Sequence, residues 1–174
     1  SWNAGYVGYL RSAKRLLHSE DNRRNLRSMT LRVAVIADIV GSRTLADRAG
    51  AQRSIVATAG RVHADHPVAA SALAATVGDE FQSVYRTLTA ALTSLLLIQL
   101  DLPEGVQLRF GIGVGAVGPV DEAITDGPGW WAARAAIDEA HRLQDRAVPH
   151  ARTRIAATKE EDAVMLERIA YANA

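Results

Sequence analysis

Strand-like and helix-like patterns of hydrophobic residues alternate along the chain from residue 31 onward. The first is the run Leu31–Asp38, whose apolar and β-branched residues are typical of a buried strand. The apolar stretch at 90–100 is well short of the roughly 20 residues that a membrane span needs, so it predicts a buried helix. In chain order the pattern predicts a strand at 31–38, a loop at 39–44, a helix at 45–64, a strand at 71–77, a turn at 78–79, a strand at 80–86, a helix at 88–101 and a strand at 106–115.

The order of these elements is βαββαβ, which is typical of an α+β fold of the ferredoxin-like type. In that fold the strands form an antiparallel sheet and both helices pack on one face of it. We therefore expect a ferredoxin-like core that carries extra C-terminal helices. The later part of the chain predicts a glycine-rich loop at 116–129, a helix at 130–145, a short strand at 153–157 and a last helix from Glu160.

The first 28 residues differ from the rest of the chain in charge and in patterning. They hold six cationic and two acidic side chains, a net charge of +4, whereas the whole chain of 174 residues carries +1. They lack the continuous apolar segment of a secretion signal. We expect residues 1–28 to be a basic leader outside the folded domain, with Met29 as the natural start. An amphipathic helix at 9–18 is the alternative.

Composition narrows the classes of protein to consider. An apolar fraction of 48% is enough for one core, and we expect one domain over residues 29–174. The absence of cysteine excludes disulfide frameworks, thiolate metal sites and cysteine nucleophiles. The nearly balanced charge gives no global reason for binding to nucleic acid or to an anionic membrane. We expect a cytoplasmic protein without a membrane segment.

Two aspartates are expected to meet at one end of the predicted sheet. Asp38 ends the first strand, and Asp79 lies in the turn between the two strands that follow. A ferredoxin-like sheet brings this turn beside the end of the first strand. Like charges side by side are unfavourable unless a cation neutralises them, and Mg²⁺ or Mn²⁺ takes oxygen ligands of this kind. We therefore predict a divalent metal site at Asp38 and Asp79, the alternative being that each aspartate only serves a turn.

The loop after the first strand is a candidate for phosphate binding. Its backbone N–H groups and the start of the next helix can receive an anion, and Gly41 permits a close approach. Ser42 and Thr44 can instead cap the helix, and capping is favoured for Thr44 because Leu45 begins the predicted helix. The candidate nucleotide-binding residues of this loop are Ile39, Gly41, Ser42, Arg43 and Thr44.

Two adjacent tryptophans stand at the start of the predicted helix at 130–145, in a chain with an aromatic content of only 5%. Neighbours on a helix point about 100° apart, so Trp130 and Trp131 cannot both serve one narrow apolar stripe. We expect one of them in the core and the other to face a partner subunit or a nucleotide base. Arg134 can hold a phosphate or pair with Asp138 one turn later, and both alternatives stay open.

Four motifs stand in order along the chain: VIADIVGS at 35–42, VGDEFQ at 77–82, LRFGIGVG at 108–115 and DGPGWWAAR at 126–134. Together they resemble the SatD family over nearly all of residues 30–174. That family is associated with bacterial acid-tolerance operons, and some members carry a C-terminal helix-turn-helix. The resemblance implies a regulatory protein whose DNA-binding module would lie beyond Ala174, so that DNA is a partner only through that module.

The same motifs are more distantly similar to class III nucleotide cyclases, and VGDEFQ is also similar to the signature of diguanylate cyclases. Both groups have a ferredoxin-like palm. This second resemblance implies that Asp38 and Asp79 hold metal and that the loop from the Ile39 carbonyl onward contacts a triphosphate. It also implies that Arg134 is the catalytic arginine that stabilises the transition state.

Two departures from the cyclase pattern change the functional expectation. Trp130 stands where cyclases have a catalytic asparagine, and Ala75 stands where adenylate-specific members have a lysine. Both lost groups would position the substrate, so efficient cyclisation is not expected. We expect a dimeric, metal-dependent nucleotide-binding regulatory domain. The alternatives are an active cyclase or other nucleotidyl-transfer enzyme, and a scaffold that binds no ligand.

Overall fold

The computed structural model describes residues 29–76, 78–119, 125–146, 148 and 151–158, which form a six-stranded sheet with helices on both faces. Within these ranges, no helix is long and apolar enough to cross a membrane. The elements are β1 (Thr30–Ile39), α1 (Arg48–Asp65), β2 (Ala69–Ala75), β3 (Glu80–Tyr85), α2 (Leu88–Asp101), β4 (Leu108–Pro119), β5 (Thr125–Asp126), α3 (Pro128–Asp145) and β6 (Thr153–Ala157).

The predicted ferredoxin-like topology is confirmed. The strands β2, β3, β1 and β4 lie side by side in that order and are antiparallel throughout. The predicted short strand at 153–157 is also present, and as β6 it runs parallel to β4. The two-residue strand β5 pairs with the end of β4, where Gly118 is opposite Asp126. The edge of the sheet beyond β4 is therefore built by the C-terminal part of the described chain.

Alternation along β1 divides the interior into two cores. Successive side chains of a strand point to opposite faces, so odd-numbered residues of β1 face one layer and even-numbered residues the other. Val33, Val35, Ala37 and Ile39 pack with residues of α1 and α2, as the topology predicts. The second core lies under α3 and consists of Ala34, Ile36, Val117, Ala133 and Ile137, with Trp130 packed against it.

Three glycines of β4 let α3 lie directly against the sheet. Gly111, Gly113 and Gly115 alternate along the strand and so share the face that α3 covers. A Cβ atom on Gly113 would stand 2.0 Å from the carbonyl oxygen of Gly129 and 2.2 Å from the backbone nitrogen of Ala133. The spaced glycines therefore serve close packing between helix and strand.

The start of α1 differs from the prediction. The helix begins at Arg48, and its N-cap is Asp47, whose carboxylate accepts a hydrogen bond of 2.7 Å from the backbone N–H of Gly50. Thr44 is not the cap, because its hydroxyl donates to the carbonyl oxygen of Gly41 at 2.9 Å within the preceding turn. Capping by Thr44 is therefore wrong.

The glycine-rich loop predicted at 116–129 is also partly wrong. Strand β4 continues to Pro119 because β1 extends to Thr30, which pairs with Val117. Thr125–Asp126 forms β5, and α3 begins at Pro128. The predicted leader at 1–28 and the predicted helix from Glu160 lie outside the described residues.

Candidate functional site

A row of charged residues crosses the sheet where β1 ends. The strand register puts Asp38 of β1 opposite Glu80 of β3 on one side and opposite Arg109 of β4 on the other. Directly opposite residues project from the same face, so all three lie on the face that α3 covers. From α3, Arg134 and His141 reach this row, and they lie two helical turns apart.

Asp38, Arg109 and His141 form a closed ring in which each side chain is hydrogen-bonded to the other two. The Nε of Arg109 donates to Oδ1 of Asp38 at 3.1 Å, and the ring nitrogen Nε2 of His141 is bonded to Oδ2. Arg109 also closes the ring, with Nη1 at 2.6 Å from Nδ1 of His141. The side chains of Arg109 and Asp38 are 6% and 16% exposed, so this ion pair is largely removed from water.

The ring determines which nitrogen of His141 carries the proton. A guanidinium only donates, so Nδ1 of His141 must accept the bond from Arg109. The proton then lies on Nε2, which donates to Asp38. Each oxygen of Asp38 therefore has a donor, Arg109 for Oδ1 and His141 for Oδ2.

The next carboxylate in the row is bound in a similar way. Oε2 of Glu80 accepts from Nη2 of Arg134 at 2.7 Å, and Oε1 accepts from Gln82 at 3.0 Å. Pairing of Arg134 with Asp138 is therefore wrong, because the guanidinium reaches across to β3 instead. Its role as a catalytic arginine stays a prediction.

Asp79 has different partners at the same end of the sheet. A hydrogen bond from the hydroxyl of Ser42 holds the pKa of Asp79 below its ordinary value of 3.8, and the positive charges of Arg48 and Arg43 lower it further. The guanidinium of Arg48 is 3.6 Å from the carboxylate, whose side chain is 33% exposed. The backbone of Gly78 next to it has a φ of 73°, a conformation that favours glycine in this turn. Asp79 is thus an ionised, accessible carboxylate beside the β1–α1 loop.

The predicted nucleotide-binding loop forms a hydrogen-bonded turn. The side chain of Ile39 is buried in the core, and its carbonyl oxygen accepts from the backbone N–H of Ser42 at 3.3 Å. Gly41, with a φ of 66°, turns the chain, and its carbonyl oxygen also accepts from the backbone N–H of Thr44. Arg43 is exposed and its charge acts on Asp79. The structure therefore brings Ser42 and Arg43 to Asp79, whereas Ile39 and Thr44 maintain the turn.

The two predicted metal ligands do not fit a divalent cation equally well. Asp79 suits one, since it is ionised, accessible and next to the Ser42 hydroxyl. Asp38 does not fit as it stands, because its charge already neutralises the largely buried guanidinium of Arg109, and each of its oxygens accepts a hydrogen bond from Arg109 or His141. Within the described part of the chain, no group of three or more histidine, aspartate or glutamate side chains could hold a metal ion.

Trp130 borders a concave surface on the same face of the sheet. The concavity has a volume of about 550 Å³ and is lined by residues of β1 to β5 and by Trp130 at the start of α3. Arg32, Gln82 and Trp130 supply its cationic, amide and aromatic groups, and the indole nitrogen of Trp130 donates to the hydroxyl of Thr125 at 3.0 Å. The lining reaches Thr76, whose hydroxyl bonds the carbonyl oxygen of Glu80 at the base of the hairpin that carries Asp79.

The predicted division of roles, with one tryptophan in the core and the other facing a partner subunit or a base, is not seen, because both residues are half-buried. Trp130 packs on the second core and lines the concavity, whereas Trp131 donates from its indole nitrogen to Asp126 at 3.2 Å. Binding of a base by Trp130 stays a prediction.

Sequence reasoning missed Arg109 and His141. Arg109 carried a usable signal, because it is the one charge within the apolar and glycine run at 108–115 and therefore had to face a buried partner. His141 follows Arg134 by two helical turns, which puts both on one side of α3. Neither signal identifies Asp38 as the partner.

Comparison with known proteins supports the fold and the family. The SatD family model matches residues 32–172, and no curated protein matches the chain. One structure of a bacterial light-regulated adenylyl cyclase aligns with a TM-score of 0.52 and 16% identity, over 75% of this chain and 43% of that one. A second such structure gives 0.50 and 15%, over 88% and 54%. An adenylate/guanylate cyclase/hydrolase from Silicibacter pomeroyi gives 0.47 and 22%, over 69% and 82%.

These values limit what the structural likeness means. The chain spans about half of each light-regulated cyclase structure, or less. At such identities the likeness is evidence for a shared fold, the cyclase-type palm, and is not evidence about activity.

Proposed function

The chain belongs to the SatD family, and on that premise we propose that its domain binds a nucleotide together with Mg²⁺ or Mn²⁺ and acts as a ligand sensor. The observation that carries this proposal is the concavity beside Trp130, which joins an aromatic group, an amide and a cation on an open sheet face. Such a combination suits a ligand with a flat ring and a negative charge.

The base and the phosphates are assigned to different parts of this face. Trp130 offers a ring on which a base can stack, and Gln82 offers an amide for the edge of the base. The phosphates extend towards the hairpin and the β1–α1 loop, where Arg43 and Arg48 supply positive charge. Arg32 contributes a further cation within the concavity.

The metal ion of the proposal is held by Asp79. Mg²⁺ is commonly bound by one or two carboxylates together with substrate phosphates and water, so a single accessible aspartate beside the phosphate region is sufficient. When bound, the ion neutralises phosphate charge. Asp79 would orient it, and the Ser42 hydroxyl would hold the aspartate ionised.

We propose that the domain does not turn over its ligand efficiently. The cyclase resemblance assigns catalysis to Arg134 and metal binding to Asp38, and both side chains already have partners within the protein. Arg134 is bound to Glu80, and Asp38 is bound to Arg109 and His141. Trp130 also replaces the amide that would position a substrate. We therefore favour binding without catalysis over the cyclase alternative.

The regulatory part of the proposal comes from the SatD resemblance. A homodimer would pass the state of the nucleotide site to a C-terminal helix-turn-helix module, and contact with DNA would be made by that module alone. Size-exclusion chromatography with light scattering, with and without nucleotide, tests the dimer.

The first experiment is a thermal-shift and calorimetric titration of the full chain with nucleoside triphosphates and cyclic nucleotides, each in Mn²⁺ and in EDTA. A ligand at 100 times its Kd should add about 2.7 kcal/mol to the free energy of unfolding. Trp130→Ala should weaken binding at least about fivefold in either condition, because a stacked base loses its aromatic partner. Asp79→Asn should weaken it in Mn²⁺ alone.

Matched charge variants provide the control. Arg43→Ala removes a cation beside Asp79, and Arg53→Ala removes one from an exposed part of α1 with a side chain 74% exposed. Only Arg43→Ala should weaken binding of a triphosphate. Equal losses in both variants would mean nonspecific attraction, and no shift with any nucleotide from a folded sample would reject the proposal in favour of a scaffold. A product assay under the same conditions would reveal cyclase activity if the enzyme alternative is correct.

A further inference from the structure

We infer that Asp38 is the charge partner of buried Arg109 and not a metal ligand, so that a divalent cation bound by this domain is held without Asp38. The inference rests on the proposed function where it concerns the metal ion. Its main test needs neither metal nor nucleotide, so the two ideas can fail separately.

Arg109 is a buried cation. Its guanidinium cannot lose its proton in a protein, and the residue is 5% exposed, so it requires an anion inside the fold. Asp38 lies directly opposite it across the β1–β4 pair and accepts from its Nε at 3.1 Å. A metal ion at Asp38 would compete with this guanidinium for the charge of the same carboxylate.

A second positive charge lies near Arg109. Arg152, which precedes β6, has its pKa lowered by burial and also by the positive charge of Arg109, so two guanidiniums already lie close together in this region. One carboxylate, Asp38, accepts from Arg109 through one oxygen and from His141 through the other. A divalent ion at Asp38 would add two positive charges beside the buried guanidinium that this carboxylate neutralises.

The ring of Asp38, Arg109 and His141 also anchors α3. His141 reaches Asp38 and Arg134 reaches Glu80, so α3 is attached at two points to neighbouring carboxylates of β1 and β3. The same helix carries Trp130 at its start. Asp38 therefore helps to position α3, which borders the concavity. This structural role requires no metal ion.

The decisive measurement is the melting temperature of the full chain in EDTA. Asp38→Asn should lower it by on the order of 10 °C, because a buried arginine loses its charge partner. The control is Asp101→Asn, which breaks the exposed pair of Asp101 with Arg61, whose side chains are 52% and 57% exposed. That change should lower the melting temperature by no more than about 4 °C. A change for Asp38→Asn as small as that of the control would overturn the inference.

A double variant keeps the test decisive if Asp38→Asn does not fold. Asp38→Leu combined with Arg109→Met removes both charges and should recover most of the lost melting temperature, since a buried ion pair can be replaced by apolar residues at little cost. Failure of the double variant to exceed Arg109→Met alone in melting temperature would overturn the pairing.

Metal titrations of the same proteins test the second half of the inference. Mn²⁺ affinity, measured at a nucleotide concentration that saturates each variant, should be unchanged in the folded double variant and should fall about tenfold or more in Asp79→Asn. The nitrogen chemical shifts of His141 should retain the pattern of a ring protonated at Nε2 when Mg²⁺ is added. Loss of Mn²⁺ binding in the folded double variant, or a change of the His141 pattern on adding Mg²⁺, would instead assign Asp38 to the metal.

Discussion

Asp38 and Asp79 lie at the same end of the sheet, yet their neighbours give them different properties. Asp38 projects towards α3 and meets a buried arginine and a histidine. Asp79 lies in a turn and meets a serine hydroxyl and the exposed cations of the β1–α1 loop. A carboxylate that is ionised and accessible is suited to an external ligand, whereas one that neutralises a buried charge is suited to stability.

The pH dependence of unfolding should report the state of Asp79. Its pKa is lower in the folded protein than the ordinary 3.8, so its ionised form stabilises the fold above about pH 4. This stabilisation should decrease as the pH falls through the folded pKa. The difference in unfolding free energy between the wild type and Asp79→Asn, measured with urea at pH 7 and pH 3, should therefore shrink on acidification.

Ser42→Ala provides the matched variant, because the Ser42 hydroxyl is the largest cause of the lowered pKa. Its unfolding should depend less on acid pH than that of the wild type. Parallel pH profiles for the wild type, Ser42→Ala and Asp79→Asn would contradict the assigned interaction.

At the scale of elements, the packing of α3 on β4 decides where the candidate residues lie. The helix approaches so closely that its backbone occupies the space of the missing glycine side chains. This approach brings His141 to Asp38 and sets Trp130 at the border of the concavity. His141 and Asp38 are far apart in the sequence and form no recognisable motif, yet the contact between α3 and β4 makes them neighbours.

Gly113→Ala should destabilise the protein by about 1–3 kcal/mol, because its Cβ would overlap the backbone of α3, which cannot yield as a side chain can. Gly60→Ala is the control, since a Cβ at this position of α1 has nothing within 4 Å. It should stabilise the helix by about 0.5–1 kcal/mol, owing to the higher helix propensity of alanine. Urea unfolding of both variants measures the two effects, and equal changes would show that α3 does not pack as described.

At the scale of the whole molecule, one sheet separates two cores of different character. The face under α1 and α2 is filled with large apolar residues, whereas the face under α3 combines a small core with ion pairs and an open concavity. Charged groups and the concavity therefore lie on the same side, which is the side on which the proposed ligand binds.

Removal of residues 1–28 should leave the melting temperature of the remaining chain nearly unchanged, because the predicted core begins at residue 31. Differential scanning calorimetry of the full chain and of residues 29–174 measures the effect. A drop of several degrees would assign the basic segment a part in the fold.

The order of the elements from β1 to β4, and the later strand β6, followed from the sequence alone. Hydrophobic alternation is a local property, so positions 31–38, 88–101 and 153–157 were assigned correctly without knowledge of any contact. The four motifs likewise sufficed to identify the SatD family and the cyclase-type palm. The ends of the elements were predicted less accurately than their order. The end of β4, for example, depends on its pairing with β1.

The partners of the charged residues were decided by the tertiary structure. Asp38 is 71 residues from Arg109 and 103 from His141, and Arg134 is 54 residues from Glu80. Such pairs form only when strand register and helix placement bring distant segments together, and electrostatic free energy depends on that separation and on burial. The sequence alone thus determined which residue types are present and on which elements they lie. Only the tertiary structure decided that one aspartate neutralises a buried arginine while the other is accessible to a ligand.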